Sequence, residues 1–500
     1  MSRISNIGAR VVAAASMAWM LITGPAGPAI AQQESVTTYH GDPARQGNFV
    51  VPGLTWNRAR SGHLDDNFNA RFSGHVYAQP LYWRSARPEA GILIAATADD
   101  SVLGIDAATG ELLWQKSLGT PVSADDLPCG NIDPVGITGT PVIDPGTQII
   151  YLDAAVHSPS GPRHQIFALS LRDGSTIAGW PIDVAEALRA IGQLFDPATQ
   201  GERGALAILG DTVYVPFGGN YGDCGTYHGW VVGFPIHDPT DVKTWRTRAP
   251  AGGIWAPGGI GTDGKSLYVA TGNTIGAAQW GDGEAIIRLA PDRGHSLREE
   301  DYFAPSNWRE LDDGDADLGG TGPLVFAVGS GNAAAARIIA LGKDGRAYVL
   351  GRDHLGGIGG ALAASTVAGD HIITAPAAYP GAESELIAFA GEGSDCPDQR
   401  GNLTVLRISA GDRPRISTAW CGPVRGSGAP IVTTTDGRAN PIVWIVGAEG
   451  DDRLHGFRGD TGEPLFRSER LPGLRHFQTL IAAHGHLYVA ADGRILAFAF

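Results

Sequence analysis

The stretch that decides the fold of this 500-residue chain reads Gly91-Ile-Leu-Ile-Ala-Ala-Thr-Ala98, then Ser101-Val-Leu-Gly-Ile-Asp-Ala-Ala-Thr-Gly-Glu-Leu-Leu-Trp114. Looser copies of this unit, which often end in a Trp, recur along the chain as far as Phe500. Each copy is too small to bury its own apolar face, so it must stack on its neighbours. Because the units are strand-sized and punctuated by Gly, they predict an all-β fold, an eight-bladed β-propeller of four-stranded antiparallel blades.

Eight units can be counted along the chain. They are Tyr77–Leu118, Ile137–Val184, Ala205–Arg248, Ile254–Phe303, a fifth from Gly322, Ile372–Trp420, Ala429–Leu471 and an eighth from Phe477. The eighth unit has only three strands, and we expect the segment Leu64–Phe72 to supply the fourth, which closes the ring and leaves no free sheet edge. The predicted organisation is therefore a signal peptide over 1–31, an extension over 32–63 and the propeller over 64–500.

Composition agrees with many tight turns around a well-filled core. The chain contains 71 Gly and 32 Pro, its apolar fraction is 43%, and only 18% of its residues are charged. These values are typical of a folded chain rich in turns and not of a disordered one. The one stretch with helical spacing of Ala, Leu and Ile is Val184–Phe195, which we predict as a surface insertion.

The N-terminus has the pattern of a secretory signal. Arg3 and Arg10 precede a mostly apolar run from Val11 to Ile22, and Ala29-Ile30-Ala31 is a small-x-small cleavage site. An uncleaved anchor is the alternative, but the run is short and Pro25, Gly27 and Pro28 follow it. We therefore predict a periplasmic or secreted protein with no membrane span after cleavage.

Cleavage would remove both arginines and no acidic residue, so the formal charge of −15 would become −17. This acidity argues against binding to nucleic acid or to anionic membranes. The four cysteines suit an oxidising compartment, and three pairings are open. We expect Cys129–Cys224, in loops of consecutive units, and Cys396–Cys421, which flank one strand pair; free buried thiols are the alternative.

Chemistry is expected where loops lead into the innermost strands, because these loops share one mouth of the ring. In the fourth unit, Trp255 could be a platform for a flat ligand or a channel plug, and Asn273 could be a cation ligand or a turn residue. In the fifth unit, the loop from Asp312 to Asp317 contains the alternating Asp313, Asp315 and Asp317, which resemble part of a calcium loop but lack its closing Glu; a solvated acidic loop is the alternative. Lys343 follows at a tight turn, where it could meet an anionic ligand or be an ordinary exposed turn residue.

The third unit carries Asp223 and His228 in a polar cluster before a strand. His228 could act as a base or a ligand, although a lone His is more often only hydrogen-bonded. The set His63, His157, His164 and His228 shows no close metal spacing such as His-x-x-x-His, so we assign no transition metal. The chain also has no Gly-x-Ser-x-Gly, P-loop, His-Glu-x-x-His or dinucleotide motif, and no Cys-x-x-Cys-His for an attached haem.

The Trp-ended unit at Ile105–Trp114 resembles the repeat of the pyrroloquinoline-quinone (PQQ) propellers. Gly253-Ile-Trp255, Tyr268-Val-Ala-Thr-Gly-Asn273 and Lys343-Asp-Gly-Arg-Ala-Tyr-Val-Leu resemble the quinoprotein alcohol dehydrogenases in order and spacing. The resemblance implies that Trp255 is the floor for the quinone, Asn273 a calcium ligand and Lys343 the group that contacts the quinone oxygens.

The chain also departs from that pattern. The family's catalytic Asp stands in a Pro-His-Asp-x-Trp setting, whereas this chain has Pro305-Ser-Asn307-Trp308. The family's Glu ligand has no clean match, and Asp223 is the nearest candidate by position; the adjacent-cysteine disulfide is absent. The segments Tyr227-His-Gly-Trp230, Thr38-Tyr-His-Gly-Asp42-Pro-Ala-Arg45 and Val76–Leu81 resemble instead a poorly characterised group of PQQ-like propellers.

Two functions from different classes remain open, with a third behind them. The first is an exported dehydrogenase that oxidises an alcohol or polyol with PQQ and calcium, with Asp312 or Asp313 as the base and a separate electron acceptor. The second is a binding or scaffold propeller for a periplasmic protein or a glycan. The third is another enzyme, such as a lyase, that uses His228 and the acidic loop.

Overall fold

The computed structural model describes residues 35–85, 91–292, 294–329, 334–396 and 401–500. The predicted signal peptide lies outside these residues and stays a prediction. The described chain forms eight small sheets that follow one another in sequence, so the predicted eight-bladed propeller is confirmed.

Blades 1 to 4 are numbered in chain order. The strands of blade 1 are Leu81–Trp83, Ile92–Ala96, Ser101–Asp106 and Leu112–Ser117, and those of blade 2 are Val142–Asp144, Ile149–Val156, Arg163–Ser170 and Ile182–Asp183. Blade 3 contains Ala207–Leu209, Thr212–Gly219, Trp230–Pro235 and Lys243–Arg246, with Gln200–Gly201 beside the second strand. Blade 4 contains Gly261–Thr262, Leu267–Thr271, Ala285–Pro291 and Leu297–Ala304, with Gly357–Ile358 added in parallel.

Blades 5 to 8 continue the pattern. Blade 5 contains Leu324–Val328, Ala335–Leu341, Arg346–Gly351 and Ala363–Thr366, and blade 6 contains Ala377–Pro380, Ser384–Ala390, Leu403–Ser409 and Ile416–Gly422. Blade 7 contains Ile431–Thr434, Ile442–Val446, Leu454–Arg458 and Pro464–Arg467, with Asn48–Val50 parallel to its first strand. Blade 8 contains Leu480–Ala483, His486–Ala491 and Arg494–Ala499.

The ring closes as predicted. His63–Leu64 and Ala70–Arg71 both pair antiparallel with Arg494–Ala499, so the chain's early strands complete the last blade. This pairing protects the outer edge of blade 8.

Trp residues of the repeat join neighbouring blades. The indole of Trp114 packs over Gly104, where a Cβ would lie only 2.3 Å from the ring, and its Nε1–H donates to Leu171 O of blade 2 at 3.1 Å. Trp420 of blade 6 donates in the same way to Gly459 O of blade 7 at 2.8 Å. The Trp at the end of these repeats therefore connects its blade to the next one.

Residues 36–51 are more than an extension, because they run past the inner strands and contact seven blades. Their backbone hydrogen bonds are Val36 with Tyr82, Thr37 with Ile143, Pro43 with Thr262, Ala44 with Val325, Gln46 with Ala378 and Gly47 with Val432. We call residues 36–51 the clasp. Blade 3 is reached through Arg45, whose Nη2 donates to Leu206 O at 2.9 Å.

Arg45 fixes the clasp to the ring. Its side chain is only 3% exposed and donates also to Ile260 O at 2.7 and 3.0 Å and to Tyr39 O at 3.2 Å. Tyr39 packs with Ala205, Ala375 and Ala429, which lie just before inner strands. The small side chains of these alanines leave the space that Tyr39 fills.

The helices are short: Trp56–Ala59, Val184–Ala190 and Trp308–Asp313, with 3-10 turns at Tyr39–Gly41, Ala124–Asp126 and Leu318–Gly320. The predicted helix Val184–Phe195 ends five residues early, since Gly192 takes a left-handed φ of +80°. Val184 and Leu188 are buried in the core shared by blades 2 and 3, so the helix covers this core. None of the helices in the described ranges has the length and apolar character needed to cross a bilayer.

Both predicted disulfides are present. Cys129 pairs with Cys224 and Cys396 with Cys421, with Cα atoms 6.1 and 5.9 Å apart.

Candidate functional site

A cavity of about 690 Å³ opens at the ends of the ring where inner strands begin. Glu202, Trp255, Ile373, Ser427 and Phe477 line it, and each lies a few residues before the first strand of its blade. The clasp instead contacts residues within the inner strands, such as Thr262, Val325 and Val432.

Two aromatic rings from opposite sides of the ring meet in this cavity. The centroid of Trp255, from blade 4, lies 6.5 Å from that of Phe477, from blade 8, and the planes differ by 46°. Phe477 has a φ of +65°, a conformation that a bulky side chain rarely takes, which marks the position as one held in place by its surroundings. Trp255 and Phe477 therefore form an aromatic surface across the pore, and both ring residues are partly exposed to the cavity.

Lys343 brings a positive charge to this surface. Its Nζ lies 5.3 Å from the Trp255 centroid, contacts Asp317 Oδ2, and is 3.2 Å from Asp315 Oδ1. Burial works against the charge on Lys343, but Asp317 and Asp315 outweigh it and raise the pKa of the amine. The lysine is thus a cation over an aromatic ring and a partner to two carboxylates.

Asp317 is the residue that the sequence reasoning undervalued. It is 3% exposed, lines the cavity and accepts the backbone N–H of Asn273 on Oδ1 at 2.8 Å. Burial raises the pKa of its carboxyl, against the opposing effect of Lys343. A buried carboxylate at the cavity wall is a candidate general base.

Gly272 and Gly319 allow this close approach. A Cβ on Gly272 would lie 2.6 Å from Asp317 Oδ1, and one on Gly319 would lie 2.7 Å from Gly272 N. The turn that carries Asp317 therefore packs directly on the strand end before Asn273. The signal in the sequence was the Gly pair after Asp317, which becomes meaningful only with this packing.

The structure brings Trp255, Asn273, Lys343 and Asp223 together around the cavity. Asp223 is exposed and its Oδ1 accepts the hydroxyl of Tyr227 at 2.5 Å; burial raises the pKa of that phenol. Cys129 and Cys224 join two loops whose neighbouring residues line the rim, among them Gly130 and Asp223.

Three other predicted residues lie outside the lining. Asp312 is bonded to Thr274, from whose backbone N–H it accepts at 2.6 Å, and Asp313 is exposed on the helix Trp308–Asp313. His228 has its Nδ1 3.0 Å from Thr247 O, and burial lowers its pKa. Their catalytic roles stay predictions. Asn307 caps the same helix and also lies outside the lining.

Comparisons with known proteins identify the fold. The quinohemoprotein alcohol dehydrogenase ADHIIG from Pseudomonas putida matches with a TM-score of 0.66 and 13% identity, over 94% of this chain and 80% of that one. The quinohemoprotein alcohol dehydrogenase from Comamonas testosteroni matches with a TM-score of 0.63 and 15% identity, over 93% and 80%.

This chain shares their propeller fold. A europium-containing methanol dehydrogenase is similar too, with a TM-score of 0.61 and 15% identity, over 92% of this chain and 89% of that one. No protein-family model matches the sequence, and no curated protein matches it. The resemblance to quinoprotein dehydrogenases is therefore confirmed in the fold.

Proposed function

We propose that this protein is an exported oxidoreductase of the quinoprotein type that oxidises an alcohol or polyol in the cavity. The observation that carries the proposal is the position of Lys343, which contacts Asp317 and lies over the face of Trp255. A cation, a buried carboxylate and a flat aromatic surface thus border one volume, which is the set of groups that hydroxyl oxidation against a flat acceptor requires.

The lining fits PQQ, a flat, conjugated anion. Trp255 and Phe477 offer their rings, while Lys343 lies over the first ring and the Arg203 guanidinium over the second, at 5.3 and 5.4 Å from the centroids. We infer that Trp255 and Lys343 would hold PQQ, and that a quinone covering both rings would also contact Phe477 and Arg203. When bound, PQQ accepts two electrons and a hydrogen from the alcohol carbon.

Asp317 is the base in this proposal. Its carboxylate would take the hydroxyl proton of the substrate, while Lys343 holds the carboxylate in place and opposes the rise in its pKa that burial causes. The backbone N–H of Asn273 fixes the other carboxylate oxygen.

Calcium is predicted with Asn273 and either Asp223 or the loop Asp313–Asp317 as its ligands. The described residues contain no group of three or more His, Cys, Asp or Glu side chains placed to hold a metal ion. Lys343 already contacts Asp317, and Tyr227 contacts Asp223. The donor set does not form a ready calcium cage, so we derive no step through the metal.

The test is a titration of the purified protein with PQQ, with calcium or with a chelator. We expect quenching of Trp fluorescence, a higher melting temperature, and reduction of an artificial dye by an alcohol or polyol. Trp255→Ala should lose most of the quenching, whereas Trp280→Ala, outside the cavity lining, should keep it. An inert protein with no PQQ-dependent shift in melting would refute the proposal and favour the scaffold alternative. A dye-reducing protein would in turn require a separate electron acceptor.

A further inference from the structure

Arg203 lines the cavity without a partner for its charge. Among the described residues it forms neither a hydrogen bond nor an ion pair through its guanidinium, which lies over the Phe477 ring, 5.4 Å from the centroid, and interacts electrostatically with the Tyr77 phenol. Burial lowers the pKa of the guanidinium, which shows that its surroundings disfavour the charge. A partly buried guanidinium with no acidic partner costs free energy unless a ligand supplies the anion.

The neighbouring acidic residues do not neutralise it. Glu202, next in the chain, accepts Gly139 N–H on Oε2 at 3.1 Å, and burial raises the pKa of its carboxyl well above the usual range. Glu449, also in the lining, accepts instead from Nδ1 of His476 at 2.9 Å. The positive charge of Arg203 therefore has no acidic partner among the described residues.

His476 gives a second observation at the same place. Its ring lies 4.8 Å from that of Phe477, and its Nε2 is buried with no hydrogen-bond partner in the part of the chain described. A guanidinium and an imidazole nitrogen, both unsatisfied, thus border one aromatic ring. Planar guanidinium donors match the two oxygens of a carboxylate.

We propose that Arg203 forms a carboxylate-binding subsite over Phe477, beside His476 and distinct from the Lys343–Asp317 side of the cavity. This inference rests on the proposed function for its setting and deepens it, since it adds an anionic group to the ligand. The carboxylate has two sources: the flat quinone itself, or a hydroxy-acid substrate. If the quinone covers the rings of both Trp255 and Phe477, its own carboxylate reaches Arg203. If the quinone covers Trp255 alone, the carboxylate of the substrate can bind Arg203.

The experiment measures binding by Trp fluorescence and melting temperature in wild-type protein, Arg203→Ala and Arg203→Lys. The probes form two matched pairs: PQQ against phenanthrenequinone, a flat quinone without carboxylates, and glycerate against glycerol. Arg246→Ala is the matched control, because Arg246 lies at the same 5.4 Å from the ring of Trp230 but outside the cavity lining.

Loss of the charged contacts in Arg203→Ala should weaken binding of the carboxylate probe at least about ten-fold. Its uncharged partner should bind within two-fold of wild type, and Arg203→Lys should be intermediate. If PQQ is the affected probe, the carboxylate belongs to the quinone; if glycerate is affected, it belongs to the substrate. Should Arg203→Ala not fold, the wild-type protein still decides: its affinity for the anionic probe must fall with added salt, and that for the neutral probe must not.

Equal loss for charged and uncharged probes, or no loss for either, would overturn the subsite. So would a wild-type protein that binds neither anion. The experiment also distinguishes failure of the subsite from failure of the proposed function. Binding of PQQ and of glycerate that are both independent of Arg203 removes the subsite alone, whereas Arg203-dependent binding of glycerate without any PQQ binding removes the quinoprotein proposal and keeps the subsite.

Discussion

At the level of single residues, the chemistry of the cavity depends on Asp317. Its oxygens are shared between Asn273 N–H and Lys343, so its orientation is fixed before any ligand arrives. Asp312, in the helix Trp308–Asp313 and five residues before Asp317, instead holds Thr274 through three hydrogen bonds. The two carboxylates of this acidic segment therefore have different roles: Asp317 lines the cavity, and Asp312 stabilises the fold.

Replacement of these carboxylates tests the division. Asp317→Asn removes the base, so we expect dye reduction to fall by about 10² to 10⁴ while PQQ binding changes little. Asp312→Asn should keep activity once the protein is folded and should lower the free energy of unfolding by about 1–3 kcal/mol, because Thr274 loses charged acceptors. Steady-state rates and urea unfolding measure the two effects. If Asp312→Asn abolishes turnover in folded protein, Asp312 is the base.

Lys343 also sets the pH dependence of the reaction. Since the lysine opposes the burial that raises the pKa of Asp317, its removal should raise that pKa further. Lys343→Ala should therefore shift the rise of the pH–rate profile to higher pH. The profile of Lys343→Arg, which retains a cation, is the control and should stay near that of wild type.

Glu284 gives a second pH prediction, this one on stability. Burial raises the pKa of its carboxyl to about 9, although Leu318 N–H donates to it. Between its ordinary value and 9, the folded protein holds a proton that the unfolded chain releases, so this group lowers stability as pH rises. Glu284→Gln imitates the protonated acid. The melting temperature of the variant minus that of wild type should therefore increase from pH 5 to 9 and stay constant above pH 9. A difference that shrinks with pH would contradict the assignment.

Among the larger elements, the two disulfides form a matched pair. Cys129–Cys224 spans 95 residues and joins loops at the cavity rim, whereas Cys396–Cys421 spans 25 residues within blade 6. The double change Cys129→Ser/Cys224→Ser should cost about 4–5 kcal/mol of stability by loop entropy and should also weaken PQQ binding.

Cys396→Ser/Cys421→Ser is the control, with a stability loss of about 3–4 kcal/mol and unchanged binding. Binding by fluorescence, measured well below both melting temperatures, separates the rim from the general stability of the ring. Equal binding in both variants would show that the rim loops hold their positions without the bridge.

The strands were predictable because their signals are local. The Trp114 repeat, the Gly turns and the alternation of apolar runs lie within each blade, so the sequence read alone gives eight blades with small errors at the ends. Trp255, Asn273 and Lys343 were found through their motifs. Asp317, Phe477 and Arg203 come from blades 5, 8 and 3, and only the closed ring brings them into one cavity. No short-range pattern marks such a juxtaposition.

For the whole molecule, Arg45 offers a test of the clasp. Its guanidinium holds carbonyls of Leu206 and Ile260 and thereby links blades 3 and 4. Arg45→Lys cannot reach these acceptors together, and each lost charged hydrogen bond costs about 1.5–3 kcal/mol. Urea unfolding should show the loss. Ligand binding should survive, because Arg45 is not part of the cavity lining, and Arg60→Lys, at an exposed ion pair, should be neutral.

Because residues 36–51 contact seven blades, they emerge before most of their partners and can complete their contacts only after those blades have been synthesised. The ribosome or a translocation pore releases residues 36–51 early. Gly47 must then wait for several hundred further residues before its partner Val432 emerges. Until then the early segment has no partners on most of the ring, and contacts of such long sequence separation form slowly. Maturation of this protein should therefore be limited by arrival of its seventh blade, and truncated chains that stop earlier should be open to proteolysis near their N-terminus.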